Sequence, residues 1–234
     1  MNEKKVSENT FRHELKYRIG YLQYMELKNR LKSVMQSDAH AGSDGKYLIR
    51  SIYFDNYLDK ALREKTDGVP WREKFRIRYY NDDFSYIILE KKIKNHALCM
   101  KLDAEISEKE CRDLLEGRIL WMREHSSVLV QELYTKMHYH LLRPRVLVSY
   151  IREPYTYDAG NVRITFDSDI RTTLYHRDFL EEKVADISTA DWPQDMVLEV
   201  KYDAFLPEII HKALQIGTIR QQAFSKYEVC RRFG

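Results

Sequence analysis

Residues 72–80 read REKFRIRYY, with Arg72, Lys74, Arg76 and Arg78 at every second position. Side chains of a β-strand alternate between its two faces. A strand here carries positive charges alone on one side and Glu73, Phe75, Ile77 and Tyr79 on the other. Like charges this close repel one another, and binding a polyanion is the chemistry that offsets the repulsion. A phosphate chain suits such a strand, because Arg offers a forked pair of donors and Lys a compact charge.

The same alternation recurs elsewhere. In 11–19, Arg12, Glu14, Lys16 and Arg18 oppose Phe11, His13, Leu15, Tyr17 and Ile19. In 84–93, Glu90 and Lys92 share a face with Tyr86 and Ile88. In 161–171, Arg163, Thr165, Asp167, Asp169 and Arg171 oppose Val162, Ile164, Phe166 and Ile170. In 196–203, Glu199, Lys201 and Asp203 oppose Leu198, Val200 and Tyr202, and Arg152 follows Val148 and Tyr150 on their face. Two architectures fit. One is an antiparallel sheet whose charged side faces water. The other is a barrel with its apolar faces outward beneath amphipathic helices and its charged faces inward. An inward set is costly unless the lumen stays wet or holds an anion. The single sign of the REKFRIRYY face favours the barrel, since a solvent face normally mixes signs.

Periodicity places the elements that carry these residues. Strands are expected at 11–19, 46–54, 71–80, 84–93, 97–106, 145–153, 161–170 and 196–203. Helices are expected at 21–35, 57–65, 107–116 and 126–141, and from Pro207 onward with a break near Gly217. Ser107 with Glu110 three positions later is a capping-box pattern that starts one of these helices. About eight strands joined by turns and short helices make an α+β chain, mainly antiparallel. Residues 1–10 read as a tail and 11–234 as one domain.

The totals narrow the class. Hydrophobic residues make up 44% of the 234, enough for a core. Net charge is only +3, too small an excess for a general nucleic-acid binder, so no nucleic-acid partner is expected. Three cysteines without ligand spacing point to a reducing compartment. No apolar leader or spanning run is present, and the expected location is the cytoplasm. No Walker motif or nucleophile elbow occurs, so side chains rather than a glycine loop must hold any phosphate.

The stretches FRHELKYRI (11–19), IRSIYFDN (49–56), REKFRIRYY (72–80), ILEKKIK (88–94), VRITFD (162–167), LEVKYD (198–203) and FSKY (224–227) occur in this order. Together they resemble the VTC domain, the polyphosphate polymerase domain of the vacuolar transporter chaperone family, within the CYTH or triphosphate tunnel metalloenzyme superfamily. The resemblance implies an antiparallel β-barrel tunnel of about eight strands with flanking helices. Its ligands would be ATP and polyphosphate or triphosphate, with Mn²⁺ or Mg²⁺. By motif position, Lys16, Arg76, Arg78, Lys92 and Arg152 would be the central phosphate-binding and catalytic cations. Arg50, Lys101, Arg163, Lys201 and Lys226 would add phosphate contacts, with Lys226 on the C-terminal helix near a tunnel mouth. Glu199 would hold the metal, and Glu14 and Glu90 are further carboxylates that could join it.

The resemblance implies transfer of the γ-phosphate of ATP to a growing polyphosphate chain by a phosphotransferase. The alternatives are a metal-dependent triphosphatase or tripolyphosphatase, or a non-catalytic polyphosphate- or inositol-phosphate-binding module. The superfamily's hydrolases begin with ExExK; here Arg12 replaces the first Glu, which agrees with the VTC branch. The SPX and transmembrane segments of the eukaryotic proteins have no counterpart in the sequence, so the expectation is a stand-alone domain, with association to a membrane partner left open.

Overall fold

The structure is a computed structural model and describes residues 11–38, 41–173, 176–189, 196–217 and 219–233. The expected tail at 1–10 lies outside the described residues. The strands are β1 (Arg12–Ile19), β2 (Gln36–Ser37), β3 (Tyr47–Asp55), β4 (Trp71–Tyr80), β5 (Asp83–Asn95), β6 (Leu98–Ile106), β7 (Arg143–Tyr157), β8 (Val162–Thr173), β9 (Ile187–Ser188) and β10 (Met196–Tyr202). The helices are α1 (Tyr21–Lys32), α2 (Lys60–Thr66), α3 (Glu108–Leu115), α4 (Val128–Tyr139), α5 (Glu208–Leu214) and α6 (Lys226–Arg231). Among the described residues, no helix is long and apolar enough to cross a membrane.

The strands pair antiparallel in the order β7-β3-β4-β5-β6-β1-β10-β8, and β8 pairs back onto β7. That last pairing closes the sheet into a ring of eight strands. The two-residue strands β2 and β9 are appended to β7 and β8. The β1–β6 seam is the shortest join, with Arg12 opposite Cys99 and His13 opposite Leu98.

Closure leaves the apolar faces outside, and helices cover them. One cluster joins Ile52, Phe75, Ile77 and Leu89 of β3–β5 to Leu114 of α3 and Leu133 and Met137 of α4. A second joins Ile164, Phe166, Leu198 and Val200 of β8 and β10 to Leu27 and Leu31 of α1 and Ile210 of α5. The third differs, because it lies on the inner face. Tyr53, Val148, Tyr150 and Ile170 pack there against Tyr227 and Cys230 of α6. The C-terminal helix therefore lies against the inside of β7 and β8.

Several expectations need correction. The strand expected to end at 153 runs on to Tyr157, because Pro154 stays in register opposite Thr165 and its carbonyl accepts from Asp38 N–H at 3.3 Å. A proline lacks the N–H but keeps the acceptor. In β8 the simple alternation fails after Ser168. Ser149 pairs with Arg171 and Ile151 with Ser168, so β8 carries one extra residue, and Asp169 takes a left-handed φ of 47°. This bulge turns Ile170 inward and sends Arg171 out to Asp186, 2.7 Å away. Helix α1 stops at Lys32 rather than 35, and the tail is helical only in α5 and α6. The capping box at Ser107 is present, with Glu110 N–H donating to Ser107 Oγ at 3.2 Å and Ser107 N–H to Glu110 Oε2 at 2.7 Å.

Candidate functional site: a cation-lined tunnel

Register brings the charged faces into rows around the lumen. Lys74, Lys92 and Lys101 stand side by side on β4, β5 and β6. In the next row Tyr53, Arg76 and Glu90 are neighbours, and in the next Ser51 and Arg78. Across the lumen Lys16, Glu199 and Thr165 form one row on β1, β10 and β8, and Glu14, Lys201 and Arg163 another. Arg152 of β7 faces Asp167 of β8. The REKFRIRYY stretch thus supplies one wall of a tunnel, and the HELK and LEVKY stretches supply the opposite one.

Each inward cation is held, but by different partners. Arg76 Nε donates to Glu90 at 2.5 Å and its Nη1 to the Tyr53 hydroxyl at 2.9 Å. Arg78 of β4 is 3% exposed and donates to Ser51 Oγ of β3 and to Tyr150 Oη of β7, each at 2.9 Å. Arg152 forks onto both oxygens of Asp167 at 2.6 and 2.7 Å, and Lys226 Nζ reaches the same carboxylate at 2.5 Å. Lys92 donates to Glu14 at 2.6 Å, and Lys101 sits 3.2 Å from Glu90. Aromatic faces lie beneath this set. Arg78, Arg152 and Lys226 all stand over Tyr150, at 5.9, 5.3 and 4.5 Å from its centroid. Arg76 stands over Tyr53 at 5.7 Å and Lys74 over Tyr227 at 4.8 Å. A ring attracts a cation without cancelling its charge.

The field of this lumen shows in its carboxylates. Burial alone would raise Glu90, but the charges of Arg76, Arg78 and Lys101 hold it far below its ordinary range. Burial likewise opposes, and Lys16 and Lys92 overcome, so that Glu14 lies at about 2. Asp167 also falls to about 2, against its burial, through Arg152 and Lys226. Glu199 is lowered against its burial by Lys201, Lys16 and Arg152. Among the lysines the balance differs. Burial lowers Lys201 despite Glu199 and Glu14, and burial brings Lys74 down to about 8. Tyr53, pushed up by burial, is pulled further down by Arg76 and Arg78, to about 8.

Lys16, Arg76, Arg78, Lys92, Lys101, Arg152, Lys201 and Lys226 therefore converge on one lumen. Arg163 is on the inner face but at its rim, bonded to Asp38 at 2.7 Å and the Tyr47 hydroxyl at 2.9 Å. Arg50 does not join them. It alternates onto the outer side of β3 with Ile52, where it donates to Tyr79 Oη and the Glu181 carbonyl, each at 2.7 Å, and pairs with Asp82 at 3.1 Å. IRSIYFDN offered Arg50 by motif position, but strand alternation sends it outward. Arg12 pairs with Asp203 at 2.6 Å, away from the Glu14 carboxylate.

The carboxylates divide too. Lys16 lies 3.9 Å from Glu14 and 3.8 Å from Glu199, and Lys201 lies 3.8 and 2.7 Å from the same pair. Glu14 and Glu199 thus occupy one place, and Glu90 is held elsewhere by Arg76 and Lys101. Among the described residues no three His, Cys, Asp or Glu side chains form a metal-holding group. What accompanies the pair is Thr165, 4% exposed, whose Oγ1 is buried without a hydrogen-bond partner in the strand position beside Glu199. Two carboxylates and an orphaned hydroxyl are all oxygen donors. They fit Mg²⁺ or Mn²⁺, which take few protein ligands and complete their shell with water and substrate phosphates.

Sequence reasoning left out Tyr53, Lys74, Tyr150, Asp167, Thr165 and Tyr227 as site residues. The signal for Lys74, Thr165 and Asp167 was already present, since each shares a strand face with a chosen residue. Tyr150 lies two residues before Arg152 on the same face. Tyr53, Tyr150 and Tyr227 are buried core residues with charges resting on them.

Among solved structures, the chain is similar to the PH1819 protein from Pyrococcus horikoshii, at 15% identity and a TM-score of 0.48, over 95% of this chain and 99% of that one. It is also similar to an adenylate cyclase candidate from Bacillus halodurans, at 15% identity and a TM-score of 0.45, over 81% and 79% of the two chains. No curated protein matches it. Residues 11–233 match the VTC domain. The match spans every strand of the ring and the C-terminal helix that reaches into it, and the chain belongs to the VTC domain family.

Proposed function

We propose that the tunnel binds a triphosphate or polyphosphate chain and transfers the γ-phosphate of ATP to a growing polyphosphate. One observation carries this reading: Arg76, Arg78, Lys92, Arg152 and Lys226 converge on a buried lumen that is also lined by rings and hydroxyls. Glu90, Glu14 and Asp167 offset part of this charge, the remaining excess of buried cations costs free energy, and a chain of phosphates is the ligand whose repeating charge fits it. Membership of the VTC domain family supports the same reading.

In this scheme Arg76, Arg78 and Arg152 give phosphate oxygens the N–H donors not used on Glu90, Tyr53, Ser51, Tyr150 and Asp167, while Lys92 and Lys226 add compact charge. Positioning and charge stabilisation supply most of the acceleration in phosphoryl transfer. An oxygen of the acceptor's terminal phosphate forms the new bond to the γ-phosphorus. The bond from that phosphorus to the β–γ bridging oxygen breaks, and ADP leaves with the electron pair. The attacking oxygen is already ionised, so no side chain needs to act as a base. Glu14 and Glu199, with Thr165, would hold Mn²⁺ or Mg²⁺ in exchange for their bonds to Lys92 and Lys201. When bound, that ion would neutralise charge developing on the leaving phosphate.

The test is incubation with γ-labelled ATP and Mn²⁺, with products resolved by chain length. A ladder that is absent in Arg76→Ala is the expected result. Free phosphate without a ladder would replace the polymerase by a triphosphatase. No turnover, with polyphosphate still raising Tm, would make the protein a binding module. Binding itself should weaken steeply with salt, as each phosphate neutralised by the tunnel releases counterions, by the logic established for nucleic acids. An affinity indifferent to salt would contradict the tunnel as the phosphate site.

A further inference from the structure

Lys74 is unlike the other lysines of its row. Lys92 is bonded to Glu14, and Lys101 to Glu90 and Asp103. Lys74 has no carboxylate partner among the described residues, and what faces it is the ring of Tyr227 at 4.8 Å. The carboxylate nearest in kind, Asp55 of β3, is already committed. Its Oδ2 accepts from Tyr227 Oη at 2.5 Å and from Leu62 N–H at 3.2 Å, and its Oδ1 from the N–H of Ala61 and of Asn56, each at 2.9 Å. Asp55 therefore serves the start of α2 and the hydroxyl of α6. Arg72, next along the face of β4, is spent on the Val69 carbonyl at 2.7 Å. A cation over a ring keeps its charge and its N–H donors available.

Beside Lys74 stand the Tyr53 and Tyr227 rings, 5.4 Å apart, and Arg76, which shares the Tyr53 hydroxyl. A divalent cation has no place among Lys74, Arg72 and Arg76. The oxygen donors that suit one, Glu14, Glu199 and Thr165, are on β1, β10 and β8, whereas this group is on β3, β4 and α6. In an in-line phosphoryl transfer the attacking and leaving oxygens lie on opposite sides of the phosphorus. Lys92 stands between the two groups, beside Lys74 and bonded to Glu14; if the leaving end of the nucleotide belongs with Glu14 and Glu199, the attacking phosphate belongs on the Lys74 side of Lys92.

We infer that Lys74, with Tyr53 and Tyr227, forms a metal-free anion subsite that receives the terminal phosphate of the acceptor chain. This rests on the reading of the lumen as a phosphate-transfer site and divides that lumen in two. Lys74 lies at about 8 because burial lowers it, with Tyr53 and Asp55 of β3, Arg72 of its own strand and Lys92 of β5 as the charged and titratable groups around it. An oxyanion favours its charged form, so the subsite weakens as pH rises through that value.

The experiment is calorimetric titration of the protein with inorganic tripolyphosphate in EDTA, and separately with β,γ-methylene ATP in Mn²⁺, for wild type, Lys74→Met and Lys74→Arg. The expected result is that Lys74→Met weakens tripolyphosphate by about tenfold or more, the size of one lost charge-assisted contact. Nucleotide binding in Mn²⁺ should stay within about threefold, and Lys74→Arg should retain both. If Lys74→Met does not fold, wild type and Lys74→Arg decide. The affinity of wild type relative to Lys74→Arg should then fall from about pH 7 to about pH 9, because the arginine stays charged. Tripolyphosphate affinity unchanged in Lys74→Met, equal losses for both ligands, or a flat ratio with pH would each overturn the subsite. Wild type that binds neither ligand would instead overturn the reading of the lumen on which the subsite rests.

Discussion

The two sides of the barrel wall differ in how many carboxylates each cation has to itself. Outside, beneath α4, Lys91 lies between Glu73 at 2.8 Å and Glu132 at 2.5 Å, and Lys136 also reaches Glu73. Arg50, also outside, is matched by Asp82 and a backbone carbonyl. Inside, Arg78 rests on a serine hydroxyl, a tyrosine hydroxyl and a tyrosine face, with its closest carboxylate, Glu90, 3.9 Å away. A cation with carboxylates of its own, as Lys91 has, is neutralised in place. Inside, cations share carboxylates, Arg76 and Lys101 on Glu90 and Arg152 and Lys226 on Asp167, and three of them share the Tyr150 face. The shared partners leave positive charge directed at the lumen, and this separates a wall built for stability from one built to hold an anion.

Asp167 is where the inside most resembles the outside, and removing it should have the largest effect. It is fully buried and holds both Arg152 and Lys226. Asp167→Ala strands two buried cations, a loss on the order of 3–5 kcal/mol. In a chain of this size that lowers Tm by roughly 10 °C, readable by differential scanning calorimetry. Added tripolyphosphate should restore part of the loss by supplying the missing anion. Restoration by uncharged polymers to the same degree would contradict an anion site in the lumen.

Tyr150 sharpens it. Tyr150→Phe keeps the ring under three cations and loses only the bond from Arg78, whereas Tyr150→Leu loses both. At about 0.5–2 kcal/mol for each desolvated cation over a ring, the leucine variant should bind tripolyphosphate at least about tenfold more weakly, and the phenylalanine variant about two- to threefold. Equal losses in titration calorimetry would assign the effect to the hydroxyl.

A smaller effect concerns acid. Glu14 and Asp167 lie at about 2 in the folded protein, below their ordinary values. Lowered carboxylates contribute stability that is present above their unfolded-state values, near 4, and lost as pH falls toward about 2. Unliganded protein should therefore lose Tm progressively below about pH 4, through these lumen groups. Glu14→Gln, which cannot titrate, should show a shallower decline. An unchanged slope in that variant would remove Glu14 from the acid response.

Much of this was legible in the sequence, for a physical reason. An inward charged face and an outward apolar face follow from a period of two, and the single sign of REKFRIRYY indicated which face was inside. The closed barrel was expected from the single-signed face and the resemblance, but the pairing that closes it, β7 with β8, was not readable, because β7 continues through Pro154 and β8 carries an extra residue at its bulge. The bulge also defeated alternation at Ile170 and Arg171. Arg50 was placed by motif rather than by face, and face was the better guide. Lys74 was visible in the opening stretch, but its lack of a carboxylate partner is a three-dimensional fact, because Asp55 is withdrawn from it by α2 and α6.

The most direct measurement pairs the two arginines. Titration calorimetry with tripolyphosphate and calorimetric Tm would be recorded side by side for Arg78→Ala and Arg50→Ala. Arg78→Ala should lose about 2–5 kcal/mol of binding with Tm changed little, because relief of its repulsion with Arg76 offsets the bonds lost to the Ser51 and Tyr150 hydroxyls. Arg50→Ala should keep its affinity but lose about 1–3 kcal/mol of stability, since Asp82 and the Glu181 carbonyl lose their donor. If Arg78→Ala unfolds the protein while Arg50→Ala abolishes binding, the assignment of the lumen as the phosphate site is contradicted.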